Sequence, residues 1–539
     1  MSSETYETPP DGDVQQIETD YEVGQDNIQP SIGPFGLDIH NPVFLISGLT
    51  IVAFVFLALA LPGLAADFFG WLRPAITSTF DWFFLLSANI FVLVCLVIVV
   101  SPLGRVRIGG TEATPDYSYA TWFAMLFAAG MGIGLMFFGV SEPISHFSAS
   151  VAEGAGGPDS WAPLAGAAGD PVEAQRLGLA ATIFHWGLHP WAIYAVVALA
   201  LALFSFNKGL PLSMRSIFYP VFGERVWGWT GHVIDILAVF ATLFGLATSL
   251  GIGAEQANAG LEFLFGVPEG DTSKVLLIVG ITGIATISVL AGLDKGVRRL
   301  SEVNMVLAAL LLLFVIFVGP TTVILSDFFG NLGAYAEYLP ALSNPFGRED
   351  ANFSQGWTAF YWAWWISWSP FVGMFIARVS RGRTVREFII CVLIIPSIVS
   401  VLWMTAFGGT AVHLIVDQGY QAVADAALEL KLFVMLEALP LTAIASFIGI
   451  VLVIVFFVTS SDSGSLVIDT ITAGGKTHAP KPQRVFWCAF EGLVAIALLL
   501  GGGLTALQAA AVSTGLPFTL VLLLGCYALF KGLASEPRG

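Results

Sequence analysis

Apolar residues in this chain come in long blocks, each closed off by a short polar stretch. Twelve blocks stand out: Val43–Ala66, Trp82–Val100, Tyr117–Val140, Leu177–Phe206, Ile236–Ala254, Val275–Leu293, Val303–Leu325, Trp357–Ala377, Phe388–Leu414, Leu441–Val458, Val485–Leu500 and Leu504–Phe530. The hydrocarbon core of a bilayer is about 30 Å thick and takes roughly 20 apolar residues per helix. The blocks therefore predict twelve transmembrane helices. The tenth and eleventh are short and are expected to extend into their polar flanks. Two amphipathic pieces, near Asp327–Leu342 and Tyr420–Leu439, precede the eighth and tenth blocks and are expected to lie along the outer interface.

Composition agrees. Of 539 residues, 56% are hydrophobic and 11% charged, against about 25% charged in ordinary soluble chains. The mean hydropathy is +0.81. A net charge of −17 argues against nucleic acid as a partner and suits a surface hydrated in strong salt. Residues 1–40 carry nine acids and no Lys or Arg, which reads as a disordered acidic tail. Cys95, Cys391, Cys488 and Cys526 all fall in apolar stretches without metal-ligand spacing and read as small buried hydrophobes.

Lys and Arg set the orientation. With the N-terminus inside and twelve alternating spans, 17 basic residues fall inside and only Arg73, Arg176, Lys274, Arg348 and Lys431 outside. Both ends are thus expected to be cytoplasmic.

Two blocks carry signals of interruption. The third contains Gly130-Met131-Gly132-Ile133-Gly134, and the eighth contains Ser367-Trp368-Ser369-Pro370. They lie five spans apart. Transporters built from inverted five-helix repeats place a discontinuous helix at matching positions in each half, with the substrate between them. Close helix packing is the other reading of the glycines. Aromatic residues crowd the same places. Trp364 and Trp368 share a helical face with Trp365 beside it, and Trp191 and Tyr194 share another on the fourth span. Ring faces gathered in this way bind quaternary ammonium, each desolvated contact contributing up to about 2 kcal/mol.

Other polar groups at membrane depth are Thr459, Ser460 and Asp462 near the end of the tenth block, and Glu142 near the end of the third. The hydroxyls suit a small hard cation or back-bond to their own helix. The carboxylates suit a functional role or helix capping. His185 and His189 have i,i+4 spacing but no carboxylate or thiol nearby in sequence, so a zinc site there is not expected. No phosphate loop, nucleophile elbow or catalytic constellation emerges, so the chain is not expected to be an enzyme.

At these residues the sequence resembles the betaine/carnitine/choline transporter family. The blocks that carry the resemblance are FYWAWWISWSPFVGMFIARVSRGRTVREF from Phe360, GMGIGLMFFGVSEP from Gly130 and HWGLHPWAIYAVVALAL from His185. It extends from about Asn41 to Phe530. It implies an all-α integral membrane protein, with two N-terminal helices preceding a 5+5 inverted-repeat core like that of neurotransmitter:sodium symporters. The expected division is an acidic cytoplasmic tail over 1–40, two peripheral helices over 41–110 and the first five-helix repeat over 111–325. An outer loop with its amphipathic segment follows over 326–356, then the second repeat over 357–530 and a short cytoplasmic tail over 531–539. A homotrimer in the cytoplasmic membrane is implied.

The resemblance also carries roles. Trp186, Trp191, Tyr194 and Trp365 match the substrate-binding aromatics, with Met131, Gly132 and Gly134 at the broken helix. Trp364 and Trp368 match rings lining the cytoplasmic route. Ala128, Met131, Phe456, Thr459 and Ser460 match a sodium site. Thr242 and Phe371 match a possible second one, but Leu246 stands where the family pattern has Thr, and Leu cannot ligate sodium. Gly134 is neutral where choline-type members tend to carry Asp, which favours a zwitterion. The expected function is import of a trimethylammonium compatible solute, above all glycine betaine, coupled to sodium by alternating access, with no cofactor besides the ion. A choline importer and a sodium-independent exchanger of carnitine- or betaine-type solutes are the alternatives. The exchanger is expected to replace the ion by a fixed positive charge, and no Lys or Arg lies inside the fifth or tenth block. An ion channel is a different class, disfavoured by the saturable site that the aromatic cluster implies.

Overall fold

The computed structural model describes residues 9–32, 35–130, 132–157, 161–291 and 294–538. Ten helices among them are long and apolar enough to cross a membrane: Asn41–Ala60, Pro62–Val100, Pro171–Asn207, Trp229–Phe265, Asp271–Leu290, Arg299–Val318, Val385–Gln418, Thr442–Thr472, Lys481–Leu500 and Gly503–Ala534. The two remaining apolar blocks also form helices. The third is divided into Tyr119–Gly130 and Ile133–Val151, and the eighth forms Ala359–Val379, rich in Trp and Ser rather than aliphatic side chains.

Burial sorts the helices into a core and a rim. The most apolar stretch of Pro171–Asn207 is 94% buried, whereas those of Asp271–Leu290 and Arg299–Val318 are only 28% buried. The latter two leave Leu276, Ile287 and Phe317 exposed, which suits a face turned to lipid. Around the core, Ala359–Val379 packs on Leu188–Ala202, Trp229–Phe265 and Gly503–Ala534, and Trp229–Phe265 packs also on Thr442–Thr472. Gly515 lets one of these crossings close: a Cβ there would lie 2.8 Å from the carbonyl oxygen of Ala363.

Two prolines inside helices have opposite outcomes, and both differ from the sequence expectation. The eighth block was expected to break at Ser367–Pro370, yet Ala359–Val379 runs through unbroken. Pro370 has no N–H for the carbonyl of Ile366; the Ser369 hydroxyl donates to that carbonyl instead, at 2.7 Å. The fourth block was expected to be continuous, yet one helix ends at Trp186 and the next begins at Leu188, with Gly187 between them at φ −100 and ψ −129. Pro190 has no N–H for the carbonyl of Trp186, and no hydroxyl takes its place. The Leu188 N–H donates to the Tyr335 hydroxyl at 3.1 Å. Tyr335 belongs to Thr321–Leu342, the helix formed by the first amphipathic piece. The second piece forms two short helices, Ala422–Asp425 and Lys431–Glu437. The tenth helix extends to Thr472, well past the polar residues that bounded its apolar block.

The acidic N-terminal segment is a further correction. Its described residues are not a free tail but lie against one end of the bundle. The Asp11 carboxylate meets Arg381 at 2.7 Å, the Ile17 N–H donates to the Lys208 carbonyl at 3.0 Å, and Asp38 meets Lys476 at 2.6 Å. Tyr21 stacks on Trp227 with centroids 4.2 Å apart. The C-terminal segment reaches the same end, where Glu536 pairs with Lys208 at 2.5 Å. A segment too polar to bury a core is thus held by bases that the orientation count places on the inner side.

One buried ion pair secures that end. Arg215 and Asp235 are 1% and 0% exposed and lie 2.5 Å apart. His40 stands 3.2 Å from the same guanidinium, and burial together with Arg215 pushes its pKa down to about 3. Removing one partner of such a pair costs about 3–5 kcal/mol, because the other charge stays buried. Asp235→Ala is therefore expected to lower the melting temperature of the purified protein in detergent, whereas Lys476→Ala, which breaks a partly exposed pair, leaves it nearly unchanged.

Candidate functional site

The division of the third block creates the site. A helix leaves its first N–H and last C=O groups without intrahelical partners. Here the carbonyl end of Tyr119–Gly130 and the amide end of Ile133–Val151 come together, with Gly132 extended between them. Met131 lies outside the described residues. Helix dipoles make the first end attractive to a cation and the second to an anion.

A cavity of about 420 Å³ opens at this break, lined by Gly132, Gly134, Trp186, Tyr194, Trp364, Trp365 and Trp368 among others. Trp186 meets two of its neighbours near right angles. Trp186 and Trp365 are 5.3 Å apart at 82°, and Trp186 and Trp364 6.4 Å apart at 88°. Tyr194 and Trp365 are 5.2 Å apart at 63°. Trp191 does not line the cavity; it packs edge-on to Tyr194 at 5.5 Å and 84°. Gly134 makes the close approach possible, since a Cβ there would lie 2.8 Å from both Trp186 and Trp364.

Hydrogen bonds fix three of the indoles. Trp364 Nε1 donates to Ser249 Oγ at 3.1 Å, Trp368 Nε1 to the Gly245 carbonyl at 3.0 Å, and Trp186 Nε1 to Glu142 Oε2 at 2.8 Å. The Nε1 atoms of Trp191 and Trp365 are buried without a partner among the described residues. Ser249 was not singled out from the sequence, where it is one hydroxyl in an apolar run.

Glu142 does not cap a helix end. It is fully buried within Ile133–Val151 and bonded to His185 Nδ1 at 2.6 Å, His146 Nε2 at 3.1 Å and the Tyr361 hydroxyl at 2.5 Å, besides Trp186. The carboxylate that His185 lacks in sequence is thus supplied by the fold. His189 points to a separate partner, Asn89, at 2.9 Å.

A second cavity of about 770 Å³ adjoins the first, sharing Ala129 and Trp368 as walls. Ala128, Phe456, Thr459 and Ser460, the described positions of the first expected sodium set, line it, as does Phe371 of the second. The Thr459 hydroxyl donates to the carbonyls of Val455 and Phe456. Such back-bonding uses the proton and leaves oxygen lone pairs available. The proposed second set is not gathered: Thr242 is buried and lines neither cavity, and Leu246 packs against Gly464. Asp462 faces Arg484 at 3.3 Å.

A multi-pass helical membrane protein with a ring-lined cavity at a broken helix has the organisation of a transporter. The model of the betaine/carnitine/choline family transporters matches residues 42–538. The chain is 69% identical to a glycine betaine/proline/choline transporter of Vibrio parahaemolyticus, over 98% of this chain and 96% of the relative. It is 54% identical to glycine betaine transporter 1 of the same organism, over 96% and 97%. It is 44% identical to a glycine betaine transporter of Acinetobacter baylyi, over 92% and 74%. The chain belongs to the betaine/carnitine/choline transporter family, and it is a transporter rather than an enzyme.

The packing around Gly134 gives a test. Gly134→Ala is expected to force the Trp186 and Trp364 rings apart and raise the KM of solute uptake about tenfold or more, read from initial rates in proteoliposomes. Gly132→Ala, where a Cβ meets nothing within 4 Å, is expected to change KM less.

Proposed function

We propose that this protein imports a trimethylammonium compatible solute, above all glycine betaine, together with sodium, by alternating access. The single observation that carries the reading is the cavity walled by indole and phenol rings at the junction of two half-helices. A quaternary ammonium donates no hydrogen bond and is bound by ring faces. The amide end of Ile133–Val151 favours the carboxylate of the same molecule. A zwitterion therefore meets both charges of the site.

In this reading the sodium ion binds in the adjoining cavity, to oxygen from Thr459, Ser460 and the backbone at Ala128, Met131 and Phe456. One ion moved through 100 mV supplies about 2.3 kcal/mol, roughly fifty-fold accumulation of an uncharged solute at 1.4 kcal/mol per tenfold. Leu246 against Gly464 speaks for a single ion. The reading includes twelve spans with both ends cytoplasmic, two inverted five-helix repeats rocking around the site, a cytoplasmic-membrane location and a homotrimer. The name of the 69% identical relative suggests that choline and proline also enter. Choline brings the onium group without the carboxylate, so it is expected to bind more weakly here.

Uptake of labelled glycine betaine into proteoliposomes tests the reading. Uptake is expected with an inward sodium gradient and is expected to vanish when potassium replaces sodium; equal uptake in both would overturn the coupling. Trp365→Leu removes one ring face and is expected to raise KM roughly ten- to thirty-fold, the equivalent of up to about 2 kcal/mol. Thr459→Ala and Ser460→Ala are expected to raise the sodium concentration for half-maximal uptake while glycine betaine at saturating sodium is handled with nearly the same KM.

A further inference from the structure

We propose that Glu142 is a positioning residue for the substrate cavity, setting the orientation of the Trp186 ring through a hydrogen bond to its indole N–H. The inference rests on the reading of the aromatic cavity as the solute site and deepens it.

Three observations lead there. First, Trp186 is the last residue of its helix, with Gly187 non-helical after it. The backbone that carries this wall of the cavity is not continued into a following turn, so the direction of the ring is not set by its own helix alone. Second, the edge of the ring meets the backbone of Gly134 and not a side chain, since a Cβ there would lie 2.8 Å from both Trp186 and Trp364. Third, the Glu142 carboxylate is itself held on all sides. One oxygen receives Trp186 Nε1 at 2.8 Å and the Tyr361 hydroxyl at 2.5 Å, and the other lies 2.6 Å from His185 Nδ1 and 3.1 Å from His146 Nε2. His185 is anchored in turn to Thr358 at 2.9 Å and stacks on Tyr361 at 4.5 Å and 15°.

The carboxylate thus joins the helix after the first break, the helix before the second and the aromatic helix at one point. A charge-assisted bond of this kind is stronger and more directional than a neutral one. It also polarises the indole N–H toward the carboxylate, which leaves the ring face more negative and a better surface for a cation. Glu142 does not line the cavity, and its hydrogen bond to Trp186 connects it to the wall. Its effect on the solute is therefore indirect.

A double-mutant cycle separates positioning from plain stability. Glu142→Gln keeps the shape but removes the charge and presents an NH₂ where donors converge. It is expected to raise the KM for glycine betaine about tenfold, the scale of one charge-assisted hydrogen bond, with the maximal rate per inserted transporter within about twofold of wild type. Trp186→Phe keeps a ring but has no N–H to donate. In that background, Glu142→Gln is expected to change KM by less than about twofold, because coupled residues are not additive. Full additivity, or a loss of maximal rate with KM unchanged, would overturn the proposal. If Glu142→Gln does not reach the membrane, Tyr361→Phe removes a donor to the same oxygen without altering charge. It is expected to raise KM about threefold, again only when Trp186 is present, and an unchanged KM would overturn the proposal. Wild-type uptake and the Trp365→Leu effect test the solute reading separately, since Trp365 makes no bond to Glu142.

Discussion

A peptide group that leaves its helix at membrane depth has to find a partner, since hydrocarbon offers none. That constraint locates every feature of interest in this protein. Where Gly132 separates two half-helices, opposite helix ends are brought to one point and two cavities adjoin there. Where Gly187 separates two more, the Tyr335 hydroxyl from an amphipathic helix accepts the stranded Leu188 N–H. Where Pro370 withholds an N–H, a serine hydroxyl supplies the missing donor and the helix continues.

The ring cavity follows from the same economy of polar groups. Indoles are large apolar surfaces with one N–H, which usually finds a partner when buried; Trp365 is an exception among the described residues. Ser249, the Gly245 carbonyl and Glu142 each take one. These bonds set the ring planes, and the ring planes define what the cavity holds. The buried carboxylate and its histidines look at first like a metal centre, with three ligand atoms within 4.8 Å of one another. The carboxylate of this group is also the acceptor for Trp186 Nε1, which joins it to the cavity wall.

Much of this could be read from the chain. Apolar block lengths located the helices, because the bilayer sets one length for all of them. The glycine run at Gly130–Gly134 announced its break, since glycine is a poor helix former and leaves the backbone free to turn. The indoles at Trp364, Trp365 and Trp368 and the hydroxyls at Thr459 and Ser460 announced the two cavities. Other features depended on contacts far apart in sequence. Near Pro190 the stranded Leu188 N–H is met by Tyr335, 147 positions away. Glu142 and His185 are 43 positions apart, so no spacing rule relates them. The acidic N-terminal residues had the composition of a disordered segment, and their partners Arg381, Lys208 and Lys476 lie hundreds of residues away.

The serine that mends Pro370 has a mechanical consequence. Trp364, Trp365 and Trp368 all ride on Ala359–Val379, and Trp368 stands between the two cavities. An interrupted helix would let one ring shift while the others stayed. A stiff rod does not: tilting it carries all three indoles at once, in proportion to their distance from the pivot.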